Sequence, residues 1–193
     1  MIKTKKTIFQ LALVLITAIT SAQNSSDYWQ QEVDYTMSID VNAKEHQYQG
    51  EQTLVYTNNS QDTLTKAFYH LYFNAFQPGS QMDVRSRTIK DPDSRVGNRI
   101  SKLSKDEIGY IKVNELLQNG NTVDYEVVGT VLEVDLAEPI LPGGSATFDM
   151  KFNAQVPLQI RRSGRDNKEG VEFSMTQWYP KMAEYDFQGW HAD

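Results

Sequence analysis

Apolar and polar residues alternate along most of this chain, and the period is two. Val33, Tyr35, Met37, Ile39 and Val41 fall on one face of a segment whose other face carries Asp34, Thr36, Ser38 and Asp40. Patterning this regular predicts a half-buried strand with one wet face. A second strand is expected over 48–56, where Gly50 marks either a bulge or a close backbone approach. Asn58-Asn59-Ser60-Gln61-Asp62 reads as a turn. Residues 64–73 predict a third strand, apolar on both faces and therefore central.

Further strands are expected over 110–116, 123–128, 130–136 and 146–154. In the last of these, Ala146, Phe148, Met150, Phe152 and Ala154 alternate with Thr147, Asp149, Lys151 and Asn153. Pro139 and Pro142-Gly143-Gly144 form a hairpin-like connection ahead of it. Short strands with almost no helical periodicity define an all-β fold, an antiparallel β-sandwich. Two segments interrupt the rhythm. Residues 77–107 are long and charged, which makes them functional, disordered or partly helical. Residues 161–170 form a polar connection, read as a solvated surface loop.

The first twenty-two residues stand outside this pattern. Lys3, Lys5 and Lys6 precede an apolar run from Ile8 to Ile19, and Thr20-Ser21-Ala22 offers small residues for cleavage before Gln23. The run is shorter than the roughly 20 residues of a membrane span, so residues 1–22 are expected to be a secretory signal and residues 23–193 the β-domain. Export to the periplasm or the extracellular space follows, with no stable membrane insertion after cleavage. Removing the signal takes away three of 19 Lys+Arg and none of 25 Asp+Glu, which leaves 16 against 25 and a net charge of −9. That acidity argues against nucleic acid as a partner. The chain has no cysteine, which removes disulfides and thiolate chemistry, and no cysteine follows the cleavage site to carry a lipid.

Candidate chemistry is sparse. Of the three histidines, His46 lies in an expected exposed connection and His70 within an apolar strand, as a hydrogen-bonded core residue or a ligand. His191 stands two residues before Asp193. No H-E-x-x-H, G-x-S-x-G, P-loop or G-x-G-x-x-G occurs. The chain shows no self-sufficient active site. Its last twenty residues hold two of the three tryptophans and end on Gly189-Trp190-His191-Ala192-Asp193, so it is expected to be the front part of something larger.

Several pieces in order resemble a family. Tyr35, Ile39 and Val41, then Tyr48, Gly50, Leu54, Tyr56, Asn58 and Ser60, then Leu64 and Phe68-Tyr69-His70-Leu71, resemble the opening strands of zinc aminopeptidases of the aminopeptidase N family. Leu141-Pro142-Gly143-Gly144 with Phe148, Met150 and Phe152 resembles a later hairpin. Phe173-Ser-Met-Thr176-Gln177 resembles the family's threonine-glutamine segment at the edge of the active site. The resemblance covers residues 28–193. It implies a saddle-like N-terminal domain, incomplete at its C-terminal end, that covers a thermolysin-like catalytic domain. That second domain would hold the zinc, the H-E-x-x-H helix and the peptide substrate. No catalytic or metal-ligating role then falls on residues 1–193, and the chain needs no cofactor of its own.

The resemblance implies two substrate-binding positions. Gln177 matches the glutamine lining the pocket for the first substrate residue. Tyr179 stands where the family places an acidic or amide side chain near the substrate's free amino group, so any contact with a cation would be through its ring face. Trp178 between them is read as core. Two other readings stay open. One is a stand-alone exported sandwich that binds carbohydrate or protein through aromatic side chains. The other is an interaction domain that adds a strand at its sheet edge.

Overall fold

The computed structural model describes residues 28–192; the expected signal peptide and its cleavage site lie outside the described residues. The strands run β1 (Glu32–Asn42), β2 (Gln47–Thr57), β3 (Leu64–His70), β4 (Tyr110–Gln118), β5 (Asn121–Thr122), β6 (Asp124–Val128), β7 (Val131–Ile140) and β8 (Ser145–Gln155). Five short ones follow: β9 (Gly164–Arg165), β10 (Phe173–Ser174), β11 (Lys181–Met182), β12 (Glu184–Asp186) and β13 (Gly189–His191). One helix, α1 (Gln81–Thr88), and two 3₁₀ turns interrupt them. The fold is all-β and antiparallel, as the alternation predicts.

Two sheets carry it. The larger has the order β1-β2-β8-β4-β5 and the smaller the order β11-β3-β7-β6. Unbroken register puts Tyr35 beside Leu54 and Leu54 beside Phe148, so the apolar rows of β1, β2 and β8 share one face. That face meets the smaller sheet: the rings of Tyr69 and Phe148 touch edge-on at 6.3 Å. Tyr69, Leu132, Val134 and Leu54 are fully buried between them, and each of the three aliphatic side chains is worth roughly 1.5–3 kcal/mol. On β1 the burial fades. Val33 and Val41 stay 40% and 56% exposed, because β1 is an edge strand with a neighbour on one side only.

Gly50 is a close approach rather than a bulge. Its register with Ile39 and Phe152 is unshifted, and a Cβ there would lie 2.3 Å from the Phe152 ring. The hub of the turn cluster is Asn58, which is fully buried. Its amide donates to the carbonyls of Asp62 and Ile140 at 2.7 and 3.1 Å, and its side-chain oxygen accepts from the Ser60 hydroxyl at 2.6 Å. The side chain thus ties 58–62 to the end of β7.

Three expectations need correction. The third strand stops at His70 rather than at 73, and Tyr72–Ala75 is a 3₁₀ turn. Leu71 and Phe73 stay fully buried through that change of backbone, so apolar character runs on where the strand does not. His46 is half-buried rather than exposed, with a left-handed φ of 57° and its ring 5.9 Å from that of Phe173. Residues 161–170 are not wholly solvated. Ser163 and Arg165 are buried, because Arg165 accepts from Gln159 N and donates to the Pro157 carbonyl through its backbone (2.9 and 2.8 Å), while its guanidinium reaches the Asp106 carbonyl at 2.8 Å.

The long charged segment is partly helical. Ser80 caps α1 by accepting from Asp83 N. Burial pushes the Asp83 carboxyl up, but the bidentate Arg87 and the Gly79 N–H outweigh it and hold it below the usual range. Val96 and Ile100 anchor the remainder in the core.

Candidate substrate-facing site

The site is assembled on residues 173–183, which leave β10 and return to the smaller sheet at β11. β10 pairs with β9, Ser174 opposite Gly164. Beyond the pair, the Ser163 hydroxyl grips both backbone groups of Thr176: it donates to the carbonyl at 3.0 Å and accepts from the N–H at 3.2 Å. Two residues later, the Tyr48 hydroxyl donates to the carbonyl of Trp178. Pro180 is buried, Met182 N donates to the Tyr35 hydroxyl at 2.8 Å, and Ala183 N to the Phe68 carbonyl at 2.8 Å.

Gln177 sits between these clamps. Its φ is 58°, in the left-handed region, which costs a residue with a Cβ about 1–2 kcal/mol. The side chain is exposed and borders a cavity of about 290 Å³ with Tyr72, Phe73, Phe76, Met82, Arg161 and Arg162. Burial, with Tyr179 nearby, raises the Tyr72 phenol above its ordinary value.

Tyr179 is half-buried and does not border that cavity. Its ring meets Tyr35 at 5.5 Å and Trp178 at 5.2 Å, both edge-on. Trp178 is half-buried against the core. The two positions singled out by the resemblance thus face different surroundings, Gln177 a cavity and Tyr179 an aromatic cluster. Sequence reading passed over Arg161, Arg162 and Tyr72 as site residues. The paired arginines were the available signal.

A second cleft, of about 740 Å³, lies where β11, β12 and β13 meet residues 28–33. Trp29 stacks on Tyr185 at 6.0 Å, and Phe187 is 85% exposed. His70 is half-buried here, stacked on Tyr72 at 4.9 Å, with Nε2 donating to the His191 carbonyl at 3.1 Å. Burial lowers its pKa, against the effect of that hydrogen bond. His191 pairs with Asp186 at 2.9 Å. Among the described residues, no group of three or more His, Cys, Asp or Glu is placed to hold a metal ion, and no helix is long and apolar enough to cross a membrane.

No protein-family model matches the chain, and no curated protein does. Solved structures do. The chain is similar to M1 zinc metallopeptidases. One, from Deinococcus radiodurans, shares 17% identity at a TM-score of 0.46, over 77% of this chain and 26% of that one. A mutant of the Deinococcus enzyme bound to a Tyr-Ser-Ala substrate gives 17%, 0.47, 77% and 26%. A two-domain M1 zinc metallopeptidase mutant bound to L-tryptophan gives 16%, 0.47, 78% and 27%. The chain spans about a quarter of the length of these structures.

Proposed function

We propose that this chain is the non-catalytic N-terminal β-domain of an exported zinc aminopeptidase, and that Gln177 forms part of the wall for the first substrate residue. One observation carries the reading. An exposed glutamine is held in a left-handed backbone by clamps on both sides, at the rim of a residue-sized cavity. Strain of that kind persists only where the surroundings over-determine it, and it concentrates at ligand sites. The ordered sequence pieces, from Tyr35 to the threonine-glutamine segment, supply the family.

The described residues do not fit a zinc site, so no step is assigned to a metal within them. A following domain would supply zinc, its activated water and the groups that cleave the N-terminal peptide bond. The Gln177 amide can accept from an ammonium or donate to a carbonyl without adding charge. The Tyr179 ring, packed edge-on with Tyr35, backs the segment, and recognition of the amino group falls to the following domain.

The test is a kinetic panel. In the complete enzyme, Gln177→Ala is expected to change KM unequally among aminoacyl anilides that differ in their first residue. Identical relative kinetics across the panel would remove Gln177 from the pocket.

The larger cleft favours one second reading, a stand-alone module that stacks sugar rings on Trp29, Tyr185 and Phe187. Tryptophan fluorescence of residues 23–193 titrated with oligosaccharides decides it. Saturable quenching supports the module, and a flat response removes it.

A further inference from the structure

The cavity beside Gln177 has an apolar floor and a cationic rim. Phe73 is fully buried, Phe76 is 8% exposed, and Met82 of α1 completes the floor. Arg161, Arg162 and Gln177 form the rim. The Ser174 hydroxyl donates to the Arg162 carbonyl at 2.9 Å, and Ser163 grips Thr176, so residues 162–163 are held alongside 174–176. The side chains of Arg162 and Gln177 therefore border the same opening.

Charge at this rim is out of balance. The nearest carboxylate is Asp93, 3.4 Å from the Arg161 guanidinium. Asp93 is already engaged twice by Arg95, at 2.9 and 2.7 Å. The Arg95 hydrogen bonds and Arg161 hold its carboxyl down at about 2. Arg99 directs its guanidinium to the carbonyls of Gln159 and Ile160, at 2.7 and 3.1 Å. Among the described residues, the Arg162 guanidinium has neither a carboxylate within 4.0 Å nor a hydrogen-bond acceptor. Arg161 thus shares its one carboxylate with Arg95, and Arg162 has none within 4.0 Å among the described residues, in a chain whose net charge is −6.

Arginine's planar fork matches a carboxylate in a bidentate arrangement. Arg161, Arg162 and Gln177 are solvent-exposed, so selectivity here rests on the geometry of the fork rather than on desolvation. Resting on the aminopeptidase reading, we infer that this cavity selects peptides whose first residue is glutamate or aspartate, with Arg162 binding the side-chain carboxylate and Gln177 donating to it. The aliphatic part of that side chain lies on Phe76 and Met82, which Phe73 backs from beneath. A first residue of lysine or arginine meets like charge and is disfavoured.

The experiment compares kcat/KM of the full-length protein on Glu-, Asp-, Leu- and Lys-p-nitroanilide, for wild type, Arg162→Gln and Arg162→Lys. Wild type is expected to prefer Glu over Lys by at least tenfold. Arg162→Gln is expected to lower the Glu-to-Leu ratio by at least tenfold, and Arg162→Lys, which keeps the charge but loses the fork, to restore part of it. Melting curves of the three proteins separate loss of fold from loss of selectivity. A wild type that prefers Lys, or a Glu-to-Leu ratio that Arg162→Gln leaves in place, overturns the inference and leaves the aminopeptidase reading standing. Hydrolysis of none of the four anilides by wild type overturns both.

Discussion

Tyr48 donates its hydroxyl to the carbonyl of Trp178, which lies 130 residues further along the chain. Tyr48 is 2% exposed, and burial raises its phenol well above the ordinary tyrosine value, which favours the neutral donor form. The bond joins the larger sheet to the segment that presents Gln177. Tyr48→Phe keeps the ring and leaves the Trp178 carbonyl without that partner, at a cost of about 1–2 kcal/mol. A melting temperature lower by a few degrees checks it; an unchanged one means the segment is held elsewhere.

The left-handed backbone at Gln177 yields a prediction of opposite sign. Gln177→Gly removes the Cβ that makes φ 58° unfavourable, and is expected to stabilise residues 23–193 by about 1 kcal/mol. Gln177→Ala keeps the Cβ and should bring no such gain. Urea denaturation of both variants decides it: equal stabilities would mean that the backbone stores no strain there.

Gly50 has no room for a side chain. Gly50→Ala drives a methyl into the Phe152 ring, and is expected to cost about 1–3 kcal/mol. Combining it with Phe152→Leu should recover part of that loss, because neighbouring substitutions are not additive. Simple additivity in a double-mutant cycle would contradict the contact.

Asn58→Ala strips three carbonyls and the Ser60 hydroxyl of their partner in a fully buried site. Unpartnered buried polar groups cost about 1–3 kcal/mol each when left dry. The expected loss is at least about 2 kcal/mol by chemical denaturation, and a loss under about 0.5 kcal/mol would remove Asn58 as the tie between the turn and β7.

Alkaline pH should act through the tyrosines. Burial raises Tyr35, Tyr48, Tyr56, Tyr69 and Tyr72, and burial with the Asp62 hydrogen bond pushes Tyr185 up to about 12. A raised phenol favours the fold in its neutral form. That contribution is complete below the ordinary value of 10.0 and is lost as pH rises from there toward about 12 for Tyr185. Tyrosinate absorbance is expected to rise in two stages, the second coinciding with unfolding. A single transition centred near pH 10 would contradict it.

Much of this fold was legible in the alternation. The faces of β1, β2 and β8 follow directly from it, whereas Gly50 read equally as a bulge or a close approach until the Phe152 ring was seen against it. The end of β3 was not legible, because Leu71, Phe73 and Phe76 continue the apolar character through a change from strand to turn. His46 and Arg165 were misplaced because their burial comes from Phe173 and Asp106, far away in sequence, and for Arg165 also from a backbone fold-back onto residues 157–159. The site was half legible. Gln177 came from resemblance, but its left-handed φ carries no glycine or asparagine to announce it. Arg161 and Arg162 look like ordinary loop charge until Asp93 is seen to be shared.

The central claim is a division of labour between a β-domain that shapes a pocket and a following domain that holds the metal. Metal analysis of the full-length gene product beside residues 23–193 tests it most directly. Expected is about one zinc per chain in the full-length protein, with aminoacyl-anilide hydrolysis abolished by chelation, and neither zinc nor hydrolysis in residues 23–193. Stoichiometric zinc in residues 23–193, or a full-length product that binds none, would contradict it.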